Sequence, residues 1–171
     1  SGSLIARIRA AALASGLVVT SAVERLPEAD LSTKLVLMQF LGIVATPNAI
    51  IPILLAGRDE ALFEAAQSIL ESLGEAAEKI VDAEWPNLDA NSRRDACLLF
   101  GRAEGQASAA RLLASLEDPS SETRSAAARS IGRRGLESGL APLVLRLAAA
   151  ATDDDFEAEE ELAAITDGLI A

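Results

Sequence analysis

The sequence predicts an all-α protein assembled from short repeats of two antiparallel helices, and three observations support this fold class. Alanine and leucine, both strong helix formers, supply 35 and 26 of the 171 residues. Apolar residues recur along the chain with the spacing of amphipathic helices. Glycine, proline and aspartate interrupt this pattern at regular places, which is typical of helix ends.

Two sets of markers give the same repeat length. The aspartates that precede the long predicted helices lie 29, 30, 29 and 35 residues apart; they are Asp30, Asp59, Asp89, Asp118 and Asp153. The glycines expected to close the first helix of each repeat lie 26, 32, 27 and 31 residues apart; they are Gly16, Gly42, Gly74, Gly101 and Gly132. A self-similarity near 30 residues predicts stacked repeats, because one such repeat cannot bury its apolar face alone.

Each repeat is predicted to contain a helix A, a turn at or after the glycine, a helix B and an Asp-containing loop. We expect a single domain over residues 4–171, with repeats at about 4–29, 30–58, 59–88, 89–117 and 118–152 and a half-repeat at 153–171. The first repeat is a helix pair broken at Gly16. In the second, a helix Leu31–Ala45 ends before Thr46, and Pro47 suits the first turn of the helix that follows.

The repeat over residues 118–152 has the clearest helix A. Asp118 or Ser120 can accept the free amides at the start of a helix Thr123–Ile131, and Pro119 suits its first turn. The sequence therefore marks where this helix begins by three adjacent residues.

The end of this helix and its helix B follow from glycine and leucine positions. Gly132 and Gly135 can adopt the left-handed backbone that ends a helix. Helix B is expected from about Leu136 to Ala150. The side chains expected in the buried stripe of the repeat are Ala126, Ala127, Ile131, Leu140, Leu143, Val144 and Leu147.

The stretch DPSSETRSAAARSIGRRGLESGLAPLVLRL resembles the bacterial HEAT-like repeat, a short form also seen in phycobilin-lyase subunits. The shared features are an Asp-Pro opening, a helix-A arginine, an Ala-Ala pair, and an aliphatic residue before glycine. The matching residues are Arg124, Ala127, Ala128, Ile131, Gly132, Ala141 and Leu143. The two preceding repeats match more weakly, through Asp59 to Gly74 and through Asp89 to Gly101, and residues 4–57 keep only the glycine and the spacing.

The resemblance implies an open, right-handed α-solenoid of about five and a half antiparallel helix-pair (HEAT-like) repeats. It also implies a non-catalytic scaffold that binds a protein partner through the concave face formed by its helices B. In this family a helix-A arginine pairs with the loop aspartate of a neighbouring repeat. Arg124 and one of Arg93 or Arg94 are therefore expected to be structural.

The outward positions of the helices B follow from the residues taken as core-facing; these are Ile80, Val81, Leu112, Leu113, Leu116, Leu143 and Leu147. The side chains then expected to bind a partner are Glu78, Asp82, Arg111, Ser115 and Arg146. Their charge changes from acidic to basic along the face, which favours a partner of opposite polarity. Trp85 is either a further anchor for the partner or a packing residue.

The apolar run from Leu35 to Leu55 supports a second interaction hypothesis. The helix Leu31–Ala45 is apolar all round, whereas a repeat helix with one exposed face should not be. Either neighbouring helices cover it, or its spare face contacts another chain or a remaining segment of the parent protein. In the latter case Leu37 and Ile53 are candidate self-association residues in a homodimer.

The composition excludes several chemistries. The absence of histidine excludes Ser-His-Asp and Cys-His catalysis and His-ligated metals. Cys97 is the only cysteine and lies beside Leu98 and Leu99, so we expect a buried structural thiol in a reducing compartment, the cytoplasm. We therefore predict a protein that is not an enzyme, with no catalytic residue, cofactor or metal.

The net charge of −11 does not favour nucleic acid as a partner. Eight arginines within residues 89–134 offer a basic face, but acidic segments flank them on both sides. Two alternatives to a scaffold stay open: a tetrapyrrole-lyase-like protein, and a nucleic-acid-binding protein such as a HEAT-like DNA glycosylase. The second needs a basic channel and aromatic side chains, which only four Phe and one Trp can supply.

The N-terminal region predicts a piece of a longer protein, which the HEAT-like resemblance implies is bacterial. Ser1-Gly2-Ser3 is typical of a cloning remnant. The segment Leu4–Val23 imitates a signal peptide, and the 23 residues from Leu35 to Gly57 carry no charge. The turn at Thr46-Pro47-Asn48 favours two short helices there, so no membrane span is expected.

Overall fold

The computed structural model describes residues 2–151 and 156–170, with side chains described over 4–151 and 159–170. The described residues form eleven α-helices and no strand, so the all-α prediction is confirmed. The helices are α1 (Gly2–Ser15), α2 (Leu17–Arg25), α3 (Leu31–Val44), α4 (Pro47–Ala56), α5 (Glu60–Leu73), α6 (Glu75–Glu84), α7 (Ala90–Phe100), α8 (Gln106–Ala114), α9 (Ser121–Arg134), α10 (Leu140–Ala150) and α11 (Phe156–Ile170). Short 3₁₀ turns occupy Trp85–Asn87, Ser115–Glu117 and Glu137–Gly139.

The periodic aspartates begin helices, as the sequence predicts. Asp30, Asp59 and Asp89 are the N-caps of α3, α5 and α7, and each carboxylate accepts a hydrogen bond from a backbone amide of the first turn. The hydroxyl groups of Ser32 and Thr33 also donate to Asp30 and hold the pKa of its carboxyl well below the usual range. The predicted helix start at Asp153 lies outside the described residues.

Helix α9 begins at a serine rather than at the periodic aspartate. Ser120 is its N-cap and accepts the Thr123 amide, while Asp118 accepts the amide of Ser120 at 2.9 Å. The helix runs from Ser121 to Arg134, longer than the predicted Thr123–Ile131. It ends at Gly135, which adopts the left-handed backbone with φ 60°.

Two of the periodic glycines do not end helices, and the prediction for them is wrong. Gly42 lies inside α3, which ends at the left-handed Ala45, and Gly132 lies inside α9. Both are sites of close helix contact. A Cβ on Gly42 would lie 2.5 Å from Cγ2 of Ile69 in α5, and a Cβ on Gly132 would lie 2.5 Å from the backbone of Gly168 in α11.

The chain divides into two compact units, which we call the N-terminal unit (Ser1–Ile80) and the C-terminal unit (Val81–Ala171). In the N-terminal unit α3 contacts both α1 and α5, and α2 contacts α4. Its core is apolar and fully buried, and includes Met38, Leu41, Ile53, Leu62 and Leu70.

The C-terminal unit repeats this packing of alternate helices. Helix α9 lies between α7 and α11 and contacts both, and α10 packs on α11. Its core includes Phe100, Leu112, Leu116, Ile131 and Ile165. In each unit, then, the first helix of one pair packs on the first helix of the next.

No single helix in the described residues is both long and apolar enough to cross a bilayer. The pair formed by residues 4–15 and 17–25 reaches the required length and composition only jointly, and it is bent by 92° at Gly16. The uncharged segment Leu35–Gly57 is divided between α3 and α4, so the prediction of two short helices there is confirmed.

Candidate interaction surfaces

The partner-binding residues predicted on the helices B do not form one exposed face. Glu78 of α6 is 5% exposed and Ser115 is 3% exposed, so the prediction that these two side chains point outward is wrong. Ser115 closes α8, and its hydroxyl donates to the carbonyl of Arg111 at 2.8 Å. A serine that bonds the carbonyl four residues back turns its hydroxyl along the helix, away from solvent.

Asp82 and Arg111 are brought together, but they bind each other. Nε of Arg111 donates to Oδ1 of Asp82 at 2.6 Å, and both side chains are about one-third exposed. The guanidinium of Arg111 also lies over the Trp85 ring, 5.1 Å from its centroid. Trp85 is buried and stacks on Phe100 with ring centroids 6.2 Å apart, so it is a packing residue.

Arg146, the fifth predicted residue, is engaged in a buried ion cluster. Glu161 of α11 is 1% exposed and accepts hydrogen bonds from Arg146 of α10 and from Arg124 of α9. Nη2 of Arg124 lies 2.6 Å from Oε2 of Glu161, and Nη2 of Arg146 lies 3.1 Å from the same oxygen. Burial alone would raise the pKa of Glu161, but the hydrogen bonds and charges of the two arginines outweigh it and lower that pKa.

Arg93 makes the contact that the HEAT-like resemblance implies. Its Nη2 donates to Oδ1 of Asp118 in the next Asp-containing loop at 3.2 Å, and its Nε lies 2.9 Å from Oδ2. Arg94 instead pairs with Asp95 of its own helix. Arg124 bonds Glu161 and the carbonyls of Asp118 and Pro119, so both Arg93 and Arg124 are structural.

These pairings remove much of the basic face that the sequence offered. Arg134 donates to the carbonyls of Phe100 and Gly105 and to the hydroxyl of Ser108. Arg93, Arg111 and Arg124 are also paired inside the C-terminal unit, so these guanidinium groups are engaged by other protein groups rather than presented to phosphates.

An exposed apolar groove lies in the N-terminal unit, between α2 and α3. It has a volume of about 480 Å³. Its lining is Leu17, Val18, Ser21, Ala22 and Arg25 of α2 and Val36, Leu37 and Phe40 of α3. Leu17 is 77% exposed, Val18 49% and Val36 62%. We call this surface the α2–α3 groove.

The groove contains only one of the two self-association residues predicted from the sequence. Leu37 lines it, but Ile53 is fully buried in the core of the N-terminal unit, so Ile53 as a self-association residue is wrong. Val36 and Leu17 are the exposed side chains that the sequence interpretation missed. The sequence does indicate an exposed apolar side chain on α3, because a helix that is apolar all round cannot bury every side chain against two neighbouring helices.

A second exposed apolar surface lies on α10 in the C-terminal unit. Leu140, Val144 and Leu145 are 52%, 54% and 72% exposed, so the prediction that Leu140 and Val144 are buried is wrong. Leu143, on the other side of the helix, is 1% exposed and packs in the core. The exposed residues of this stripe are Leu140, Ala141, Val144, Leu145 and Ala148. We call it the α10 stripe.

The described residues contain no group of three or more His, Cys, Asp or Glu side chains placed to hold a metal ion. Cys97 is fully buried, and burial raises the pKa of its thiol to about 12. A thiol in that state is a poor nucleophile near neutral pH.

No protein-family model matches the chain, and no curated protein matches it significantly.

Proposed function

We propose that this chain is a non-catalytic protein–protein interaction module of HEAT-like repeats, acting in the bacterial cytoplasm. Three features support the repeat architecture: aspartate caps on successive helix pairs, alternate-helix packing within each unit, and the Arg93–Asp118 contact. The cytoplasmic assignment is supported by a single buried thiol and no partner cysteine.

The observation that carries the binding function is the exposure of apolar side chains around the α2–α3 groove. A contiguous exposed apolar patch on a soluble protein often marks an interaction site. A groove between two helices suits an amphipathic partner helix, which inserts apolar side chains at helical spacing. This proposal moves the binding surface to α2 and α3, because the predicted helix-B residues are buried or bonded within the protein: Asp82 pairs with Arg111, and Arg146 pairs with Glu161.

The expected contribution of the groove residues to the binding free energy follows from their burial by a ligand. Complete burial of one Val or Leu side chain contributes about 1.5–3 kcal/mol, and Val36 and Leu17 are more than half exposed in the free protein. A glutamate at either position must lose hydration if an apolar ligand is to bind. Introducing a charge at Val36 or Leu17 should therefore weaken ligand binding by more than about 1.4 kcal/mol, which is about tenfold in affinity.

A peptide-display selection on the immobilised protein tests this proposal. Selected peptides should carry apolar residues at i, i+3 or i+4, and i+7, and Val36→Glu should weaken their binding at least about tenfold by fluorescence polarisation. The matched control is Leu31→Glu, which adds the same charge to the same helix at a position 49% exposed outside the groove. If the selection gives no binders, or binders that tolerate both Val36→Glu and Leu17→Glu, the groove is not a docking site.

A further inference from the structure

The α10 stripe has the form of a helix that docks in an apolar groove. With 100° between successive residues, Leu140, Val144, Ala148, Ala141 and Leu145 fall in that order within about 140° of the helix surface. No charged side chain lies within this sector, since the one arginine of α10, Arg146, is bound to Glu161 on the opposite side. Leu140 and Val144 at i, i+4 are the usual anchors of helix-in-groove recognition.

The α10 stripe and the α2–α3 groove agree in size. Helix α10 has 11 residues and is about 16 Å long, and α2, which forms one wall of the groove, has 9 residues and is about 14 Å long. The groove volume of about 480 Å³ accommodates several aliphatic side chains. Helix α10 therefore matches the length of the groove wall that α2 forms.

The regions that carry the two surfaces have opposite charge. Residues 1–58, with the groove, contain five basic and three acidic residues, whereas residues 135–171, with the stripe, contain one basic and nine acidic residues. Locally, Arg25 is exposed and lines the groove, and Glu137 is exposed in the turn that precedes α10. Opposite net charge on the two segments speeds their encounter and disfavours pairing of either segment with itself.

We propose that the chain self-associates head to tail, with the α10 stripe of one molecule docked in the α2–α3 groove of a second copy. This inference rests on the proposed function, because it names the partner of the same groove. Each molecule carries one groove and one stripe, so the contact is heterologous. Repeated contacts of this kind build open chains or rings rather than closing at a dimer.

Light scattering over a concentration series tests the association of the wild-type protein. The mass should rise beyond that of a dimer with concentration, and added salt should weaken the rise because opposite charges are screened. Val36→Glu blocks the groove and Leu145→Glu blocks the stripe. Both positions are more than 60% exposed, so both variants should keep the wild-type helical circular dichroism spectrum.

The two variants give the decisive result when they are mixed. Each alone should be a monomer. A mixture of the two should form a 1:1 heterodimer and nothing larger, because it retains one intact stripe, on the Val36→Glu molecule, and one intact groove, on the Leu145→Glu molecule. The matched controls are Leu31→Glu and Ile170→Glu, which place the same charge at exposed apolar positions outside the two surfaces and should associate like the wild type.

Several outcomes would overturn the head-to-tail contact. One is a wild-type protein that stays monomeric at about 1 mM, the range of very weak binding. Another is a Leu145→Glu variant that still dimerises while Val36→Glu does not, which would indicate a groove-to-groove contact. A third is a mixture that stays monomeric. A monomeric protein that still binds display-selected peptides through the groove would retain the proposed function while disproving self-association.

Discussion

At the scale of single residues, the C-terminal unit is organised around Glu161. Its carboxylate lies between Arg124 and Arg146, which come from two different helices, and it is almost fully buried. A buried ion pair adds little stability relative to an apolar core, but the loss of one partner leaves an uncompensated charge. Glu161 of α11 thereby links its own helix to both α9 and α10.

We expect Glu161→Gln to lower the free energy of unfolding at pH 7 by about 3 kcal/mol, since two arginines then face a neutral group. Urea unfolding followed by circular dichroism measures this. The matched control is Glu160→Gln, an exposed neighbour on the same helix, which should change stability by less than about 0.5 kcal/mol. Equal effects of the two substitutions would contradict the role given to Glu161.

The difference in unfolding free energy between the wild type and Glu161→Gln should depend on pH with a defined sign. The pKa of Glu161 is lowered in the folded protein, so the ionised carboxylate stabilises the fold fully above the unfolded-state pKa, about 4.3. That contribution disappears as the pH falls through the lower, folded-state value. The gap between wild type and Glu161→Gln should therefore shrink progressively below about pH 4.3.

At the scale of helices, glycine determines how closely neighbours approach. A Cβ added to Gly132 would lie 2.5 Å from the Cα of Gly168. The clash would involve backbone atoms, which cannot rotate away as a side chain can. Small residues at such crossings let two helix backbones come together. The contact between α9 and α11 thus depends on glycine in both helices.

Gly132→Ala should destabilise the protein by about 1–3 kcal/mol, the usual range for overpacking, although alanine is the better helix former. Thermal unfolding measures this destabilisation. The matched control is Arg133→Ala, at the adjacent exposed position. A melting temperature for Gly132→Ala equal to or above that of the wild type would show that α9 and α11 can move apart without loss of stability.

The sequence predicted helix starts better than helix faces. Asp30, Asp59 and Asp89 were assigned correctly because capping is a local interaction between a side chain and the next turn. Gly42 and Gly132 were assigned to helix ends because the same residue type serves both chain reversal and close packing. A repeat period cannot distinguish these two uses, since both recur once per helix pair.

The exposed and buried faces of the helices were predicted less well for a related reason. The direction in which α10 faces its core is fixed by α11 and not by its own pattern, so Leu140 and Val144 were placed inside. The outward prediction for Glu78 and Ser115 depends on which residues of α6 and α8 are taken as core-facing, and the surface prediction for Ile53 depends on an apolar run too long for one helix face. Tertiary contacts decided each of these cases.

At the scale of the whole molecule, each compact unit is stabilised by its own internal contacts. In a repeat stack, stability is a sum of local terms and nearest-neighbour contacts rather than a property of the entire chain. A substitution in one unit should therefore lower the cost of opening that unit alone. Native-state hydrogen exchange detects such partial opening directly.

We expect Glu161→Gln to accelerate amide exchange in α7, α9 and α11 by about 100-fold, because about 3 kcal/mol of destabilisation corresponds to two factors of ten. Amides in α3 and α5 of the N-terminal unit should change by less than about threefold, within about 0.6 kcal/mol. Mass spectrometry of peptides from both units measures this in one experiment, with Glu160→Gln as the control. An equal acceleration in both units would mean that the 171 residues open as one cooperative body, and that nearest-neighbour energetics do not describe this protein.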